Sequence, residues 1–156
     1  MAFPSYRELR VACPYFMPSE RTNDGGWIHP SRLPLGGGWT GHCTAPGHEG
    51  QTPSEQQVRD GCNLGYASAC PFRPAEPKYD SVRFAVMRDT EERVVVCYTC
   101  EKAHLPADHG KLEYAKASGR WAEVHHDGRI QKMAECYLAS YFTRKDSGIR
   151  CAVASS

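Results

Sequence analysis

The sequence predicts an α+β fold. An irregular, cysteine-rich, metal-binding N-terminal half packs on a small antiparallel β-meander of about four strands, and a C-terminal amphipathic helix closes it. Three observations predict this. Between Asn23 and Pro53 glycines and prolines interrupt every helical or alternating pattern. After Ser81 two runs rich in β-branched residues alternate as strands do. From Ile130 to Tyr141 apolar residues recur at helical spacing.

The chain has 156 residues, the usual size of one domain, long enough to bury a core without covalent staples. A single domain over 1–156 is expected, with a loop-rich cysteine region at 1–77, the meander and helix at 78–150 and a tail at 151–156.

In the first region the glycine-rich stretch is a long irregular segment, and compact domains rarely keep one ordered unless it wraps something. Asp24-Gly25-Gly26-Trp27 and Gly36-Gly37-Gly38-Trp39 form a weak echo, read as two similar turns. A helix is predicted from about Pro53 to Asp60: Thr52 can cap it, Pro53 suits its first position and Glu55 can close a capping box. Gly61 then fits a left-handed end that delivers Cys62.

In the second region Val82, Phe84 and Val86 alternate with Arg83 and Ala85. Asp89-Thr90-Glu91-Glu92 turns the chain into Arg93–Cys100, which makes a hairpin. A third strand near Lys111–Lys116 and a fourth near Arg120–His125 are joined by Ala117-Ser118-Gly119. Ile130, Met133, Ala134, Tyr137, Leu138 and Tyr141 share one face of a helix from about Asp127 to Arg144, able to cover the sheet. Cys136 falls off that stripe, and Cys151 lies in the tail.

Nineteen basic against eighteen acidic side chains leave no long-range field to draw the chain onto nucleic acid or an acidic membrane. Arg144, Lys145 and Arg150 are the one basic group, and cations there complement the end of a helix. No secretory pattern opens the sequence and no stretch is apolar enough to span a bilayer, so a reducing cytoplasm is the expected setting. A phosphate loop, a G-x-S-x-G elbow and an H-E-x-x-H helix are all missing from the sequence.

What the loops do carry is thiols. Cys13, Cys43, Cys62 and Cys70 are spaced C-x29-C-x18-C-x7-C, and Pro14 and Pro71 follow the first and last. Soft thiolates suit zinc or iron–sulfur clusters. Structural zinc commonly uses paired C-x2-C knuckles, absent from this set, whereas a cube-shaped cluster takes one thiolate per corner and accepts ligands arriving singly from loops. These four are therefore the expected ligands of an iron–sulfur cluster of the 4Fe-4S type, with zinc as the alternative. Tyr15, Phe16, Tyr66, Phe72, Trp27 and Trp39 could supply an apolar shell.

Weaker ligands are also present. His42 and His48 flank Cys43, and His29 is more distant. Cys97, Cys100, His104 and His109 read C-x2-C-x3-H-x4-H, but three residues between the pairs leave little room to double back. Residues three apart on a strand also point to opposite faces.

The expected function is electron transfer or redox sensing with a protein partner. The alternative is a structural zinc module that contacts protein or nucleic acid. A third class, an enzyme with an open metal position, would need only three of the four thiols as ligands.

Overall fold

Strand-forming residues dominate the second half of the chain, and there the backbone builds a four-stranded antiparallel meander. Its strands are β3 (Ser81–Asp89), β4 (Arg93–Lys102), β5 (Leu105–Ala115) and β6 (Arg120–Glu123), in the order β3-β4-β5-β6. The molecule was analysed as a computed structural model, which describes residues 11–22, 33–63, 70–72, 74–103 and 105–154, with backbone alone at 60 and 146–154.

The first half contains more regular structure than its composition suggests. β1 (Phe16–Arg21) and β2 (Trp39–Cys43) pair antiparallel as a separate ribbon, with Phe16 opposite Cys43 and Arg21 opposite Trp39. Pro18 sits where the register shifts, the place in a ladder where a residue without an N–H is tolerated. Gly41 faces β1 so closely that a Cβ there would lie 2.0 Å from the Met17 carbonyl oxygen, so only glycine lets the two strands pair.

The predicted first helix is much shorter than 53–60. Only α1 (Glu55–Gln57) is α-helical, and Val58–Cys62 continues it as a π turn. The cap is Ser54 and its capping-box partner is Gln57, where Thr52 and Glu55 were expected. Gly61 belongs to the π turn and does not make a left-handed end. The π turn widens the spiral by one residue, and the N–H of Asn63 closes it on the Val58 carbonyl at 3.1 Å.

α2 (Gly128–Ala154) starts on Asp127, whose carboxylate accepts from the Arg129 N–H at 3.0 Å. It extends past Arg144 into the segment expected to be a tail. It packs on β1 as well as on β3 and β4, so it touches both halves of the chain. That double contact widens its buried stripe: Cys136, expected off the stripe, is buried with Ile130 and Met133. Gly36, with φ +75°, lies against this helix, where an added Cβ would be 2.7 Å from the Ser140 Cβ. Arg144 donates to the Gly36 carbonyl.

The two halves also join directly. Ala12 and Val82 exchange both backbone hydrogen bonds, at 2.8 and 2.9 Å, which attaches the N-terminal segment to the edge of β3. One core cluster runs from Ala12, Tyr15, Phe16, Leu35 and Trp39 through Val82 and Cys100 to Ile130 and Met133. A second joins Val94, Val96 and Leu138 under Tyr114, Trp121, Tyr137, Tyr141 and Phe142. The architecture is thus α+β, with two antiparallel sheets and a long C-terminal helix. Among the described residues no helix is long and apolar enough to cross a membrane.

Candidate metal centre

Three backbone devices gather the cysteines of the first half. The Cys13 N–H donates to the Cys62 carbonyl at 3.2 Å, joining the first and third thiol-bearing segments. The Thr44 N–H and hydroxyl both donate to the Tyr15 carbonyl, at 2.8 and 2.7 Å, joining the first to the second. Cys43 then begins a tight loop: its N–H reaches the Gln51 carbonyl and its own carbonyl accepts from Gly50, both at 2.9 Å. Gly47 and Gly50 make the loop's turns at φ +85° and +80°.

Asn63 fixes the third segment. It is fully buried, and its side-chain oxygen accepts from the Trp39 N–H at 2.9 Å. Its amide donates to the carbonyls of Trp39 at 2.7 Å and Val58 at 2.9 Å. A side chain adjacent to Cys62 thereby locks the π turn onto β2, the strand that ends in Cys43. The fourth segment approaches through its aromatic residue: Phe72 stacks on His48 with ring centroids 4.2 Å apart.

These devices converge. Cys13, Cys43 and Cys62 are each made harder to ionise by burial and, to a lesser degree, by neighbouring thiolates of the set. Burial is the larger cause in each resolved case, pushing the Cys13 thiol up to about 12 and raising Cys43 and Cys62 as well. That makes Cys13, Cys43 and Cys62 poor nucleophiles, because a reactive cysteine needs its thiolate favoured. Three buried thiolates beside a half-buried fourth would be favourable together only with positive charge among them, which a metal centre would supply.

The backbone prepares for charge on sulfur. The Ala45 N–H points at the Cys43 Sγ at 3.3 Å and the Phe72 N–H at the Cys70 Sγ at 3.4 Å. The N–H groups of Tyr15 and Phe16 likewise favour the ionised form of Cys13. In three of the four segments the donor is the residue two places after the cysteine. Pro14 and Pro71 occupy the position between, where the absent N–H costs nothing and the fixed φ helps turn the chain back over the sulfur.

The surroundings are apolar. Tyr15, Phe16, Leu35, Trp39 and Ala45 are buried in the same cluster as Cys13, Cys43 and Cys62, with Phe72 packed against it. Cys70 alone of the four is only half-buried. Trp27, His29 and Tyr66 lie outside the described residues.

The weaker ligands are placed elsewhere. His42 lies opposite Met17 in the ribbon, one residue before Cys43 and so on the other face of β2. His48 is occupied by Phe72 and by Gln51, whose Oε1 is 3.1 Å from its Nδ1. Cys100 is fully buried opposite Asp108 on the helix-covered face, whereas Cys97 pairs with Lys111 and His109 with Thr99 on the other. The structure therefore does not bring Cys97, Cys100 and His109 together, and His104 lies outside the described residues. Seven described cysteines are free thiols. Among the described residues no group of three or more His, Cys, Asp and Glu side chains is placed to hold a metal ion.

Sequence inspection missed Asn63, Thr44 and Arg129. Nothing near Asn63 marks it as a buried clamp, and Thr44 and Arg129 are 85 positions apart in the chain although the Arg129 Nη1 donates to the Thr44 Oγ1 at 3.2 Å. The chain matches no protein-family model, and comparison with curated proteins and with solved structures found no match.

Proposed function

We propose that Cys13, Cys43, Cys62 and Cys70 hold an iron–sulfur cluster of the 4Fe-4S type and that the protein transfers electrons or senses redox state in a reducing compartment. One observation carries this: backbone contacts join the Cys13 segment to those of Cys43 and Cys62 inside an apolar shell, the His48–Phe72 stack brings in the Cys70 segment, and backbone N–H groups are directed at three of the sulfurs. Hydrogen bonds to the sulfurs, burial and net charge are the means by which a protein tunes such a cluster.

The spacing favours a cluster over a lone zinc. Structural zinc commonly uses paired C-x2-C knuckles, whereas a cubane carries one thiolate on each of four irons and accepts ligands that arrive singly from loops, as C-x29-C-x18-C-x7-C would deliver them. Four cysteine ligands leave no iron open to substrate, so a redox role is favoured over substrate chemistry. Cys70, the least buried of the four, would be the side from which an electron enters, beside the His48–Phe72 stack. The partner is a redox protein, and a net charge of +1 does not indicate nucleic acid.

The test is reversible reduction. Protein purified under nitrogen is expected to show broad visible absorption that bleaches with dithionite and returns on reoxidation. A colourless protein, or colour that dithionite leaves unchanged, would count against a redox cluster.

A further inference from the structure

Arg129 stands outside the thiol set yet reaches two of its loops. Its Nη1 donates to the Thr44 Oγ1 at 3.2 Å, and its Cζ lies 5.0 Å from the centre of the Tyr15 ring. Thr44 follows Cys43, and Tyr15 supplies one of the N–H groups directed at Cys13. The Thr44 hydroxyl passes the contact on to the Tyr15 carbonyl at 2.7 Å. One guanidinium on the first turn of α2 thus braces both segments.

Its position is fixed from behind. Asp127 binds Arg129 in a two-pronged pair, Oδ1 to Nε at 3.1 Å and Oδ2 to Nη2 at 2.9 Å, and the same carboxylate caps the helix. A guanidinium held at both ends keeps its direction. The guanidinium thus lies against the segments that follow Cys43 and Cys13, while the carboxylate that opposes it sits at the start of the helix.

We propose that Arg129 is a positioning residue that sets the reduction potential of the cluster, with Asp127 opposing it. The proposal rests on the cluster reading above. When the cluster takes one electron from a donor protein, its charge becomes one unit more negative and no bond is made or broken. A nearby fixed cation favours that reduced state, and net charge around a cluster is one of the levers on its potential.

The experiment is a redox titration of wild type, Arg129→Gln, Arg129→Lys and Asp127→Asn, with dithionite as reductant and iron content measured on each sample. Asparagine still caps a helix, so the last variant removes the opposing charge and keeps the fold. Arg129→Gln is expected to shift the oxidised-to-reduced equilibrium about tenfold toward the oxidised form, a fall of about 59 mV for one electron. Asp127→Asn should shift it the opposite way, and Arg129→Lys should stay near wild type. Equal potentials for iron-loaded wild type, Arg129→Gln and Asp127→Asn overturn the proposal. If Arg129→Gln loads no iron, Asp127→Asn decides alone: an upward shift supports the proposal and an unchanged potential overturns it. Wild type without iron overturns the parent reading, and the iron measurement separates that outcome from the others.

Discussion

Replacing Asn63 by aspartate exchanges the side-chain NH2 for an oxygen and removes two hydrogen bonds. In the native chain the side-chain amide donates to the carbonyls of Trp39 and Val58, and the side-chain oxygen accepts from the Trp39 N–H. A carboxylate keeps the third bond and sets a negative oxygen against two carbonyls in a fully buried site. The Val58 carbonyl keeps the Asn63 backbone N–H, but the Trp39 carbonyl loses the amide donor and both face a buried negative oxygen. A buried group left unpaired costs about 1–3 kcal/mol, more beside a charge, so Asn63→Asp should lose about 2–4 kcal/mol near neutral pH. Protonation restores one donor. Burial raises the folded pKa of the new carboxyl above its unfolded value near 3.9, so the loss is smallest below that value and grows as pH rises through the folded pKa. Urea unfolding of wild type and variant from pH 4 to pH 8 measures the difference at each pH. A variant within about 0.5 kcal/mol of wild type throughout, or a difference flat in pH, would refute the clamp.

Two further outcomes are expected. Gly41→Ala forces a methyl into the Met17 backbone and should cost at least about 3 kcal/mol by separating β1 from β2, read as a lower melting temperature together with lost metal content. Asp89 accepts from Lys116, Lys145 and Tyr141, at 2.7 Å in each case, which holds its carboxyl well below the ordinary range. With the lysines partly exposed, Asp89→Asn should cost about 1–2 kcal/mol between pH 5 and 8. Because the folded pKa is depressed, that gap is full above the unfolded pKa and closes as acid carries the pH down through the folded value, which acid-range denaturation curves can follow.

The meander could be read from the chain because alternation states its own geometry. Val82, Phe84 and Val86 face α2 opposite Cys100, Tyr98 and Val96, as a two-residue period requires. The third strand begins at Leu105, earlier than expected, because Pro106, Asp108 and Gly110 are poor strand formers that pair only through the tertiary context of β4. Gly110 has a reason visible only in three dimensions: Tyr98 lies across it, its hydroxyl 2.8 Å from where a Cβ would stand. The β1–β2 ribbon was hidden by Pro18 and Gly41, which propensity counts against a strand and which here permit a bulge and a close approach. The cations near the C-terminus also have internal work, since Arg144 holds Gly36 and Lys145 holds Asp89.

Of the centre, the sequence showed the candidate thiols and the prolines beside two of them. Their convergence depends on contacts across long separations, Thr44 to Tyr15 and Asn63 to Trp39, that leave no local pattern. Cys136 was misjudged for a related reason: a helix stripe drawn for one sheet is too narrow for a helix that covers two.

The most direct test is elemental. Iron, acid-labile sulfide and zinc are measured on the chain purified without oxygen, alongside a variant with Cys62→Ser. A four-iron cluster predicts about four irons and four sulfides per wild-type chain, with most of both lost in the variant. About one zinc per chain without sulfide, or a chain carrying no metal, would contradict it.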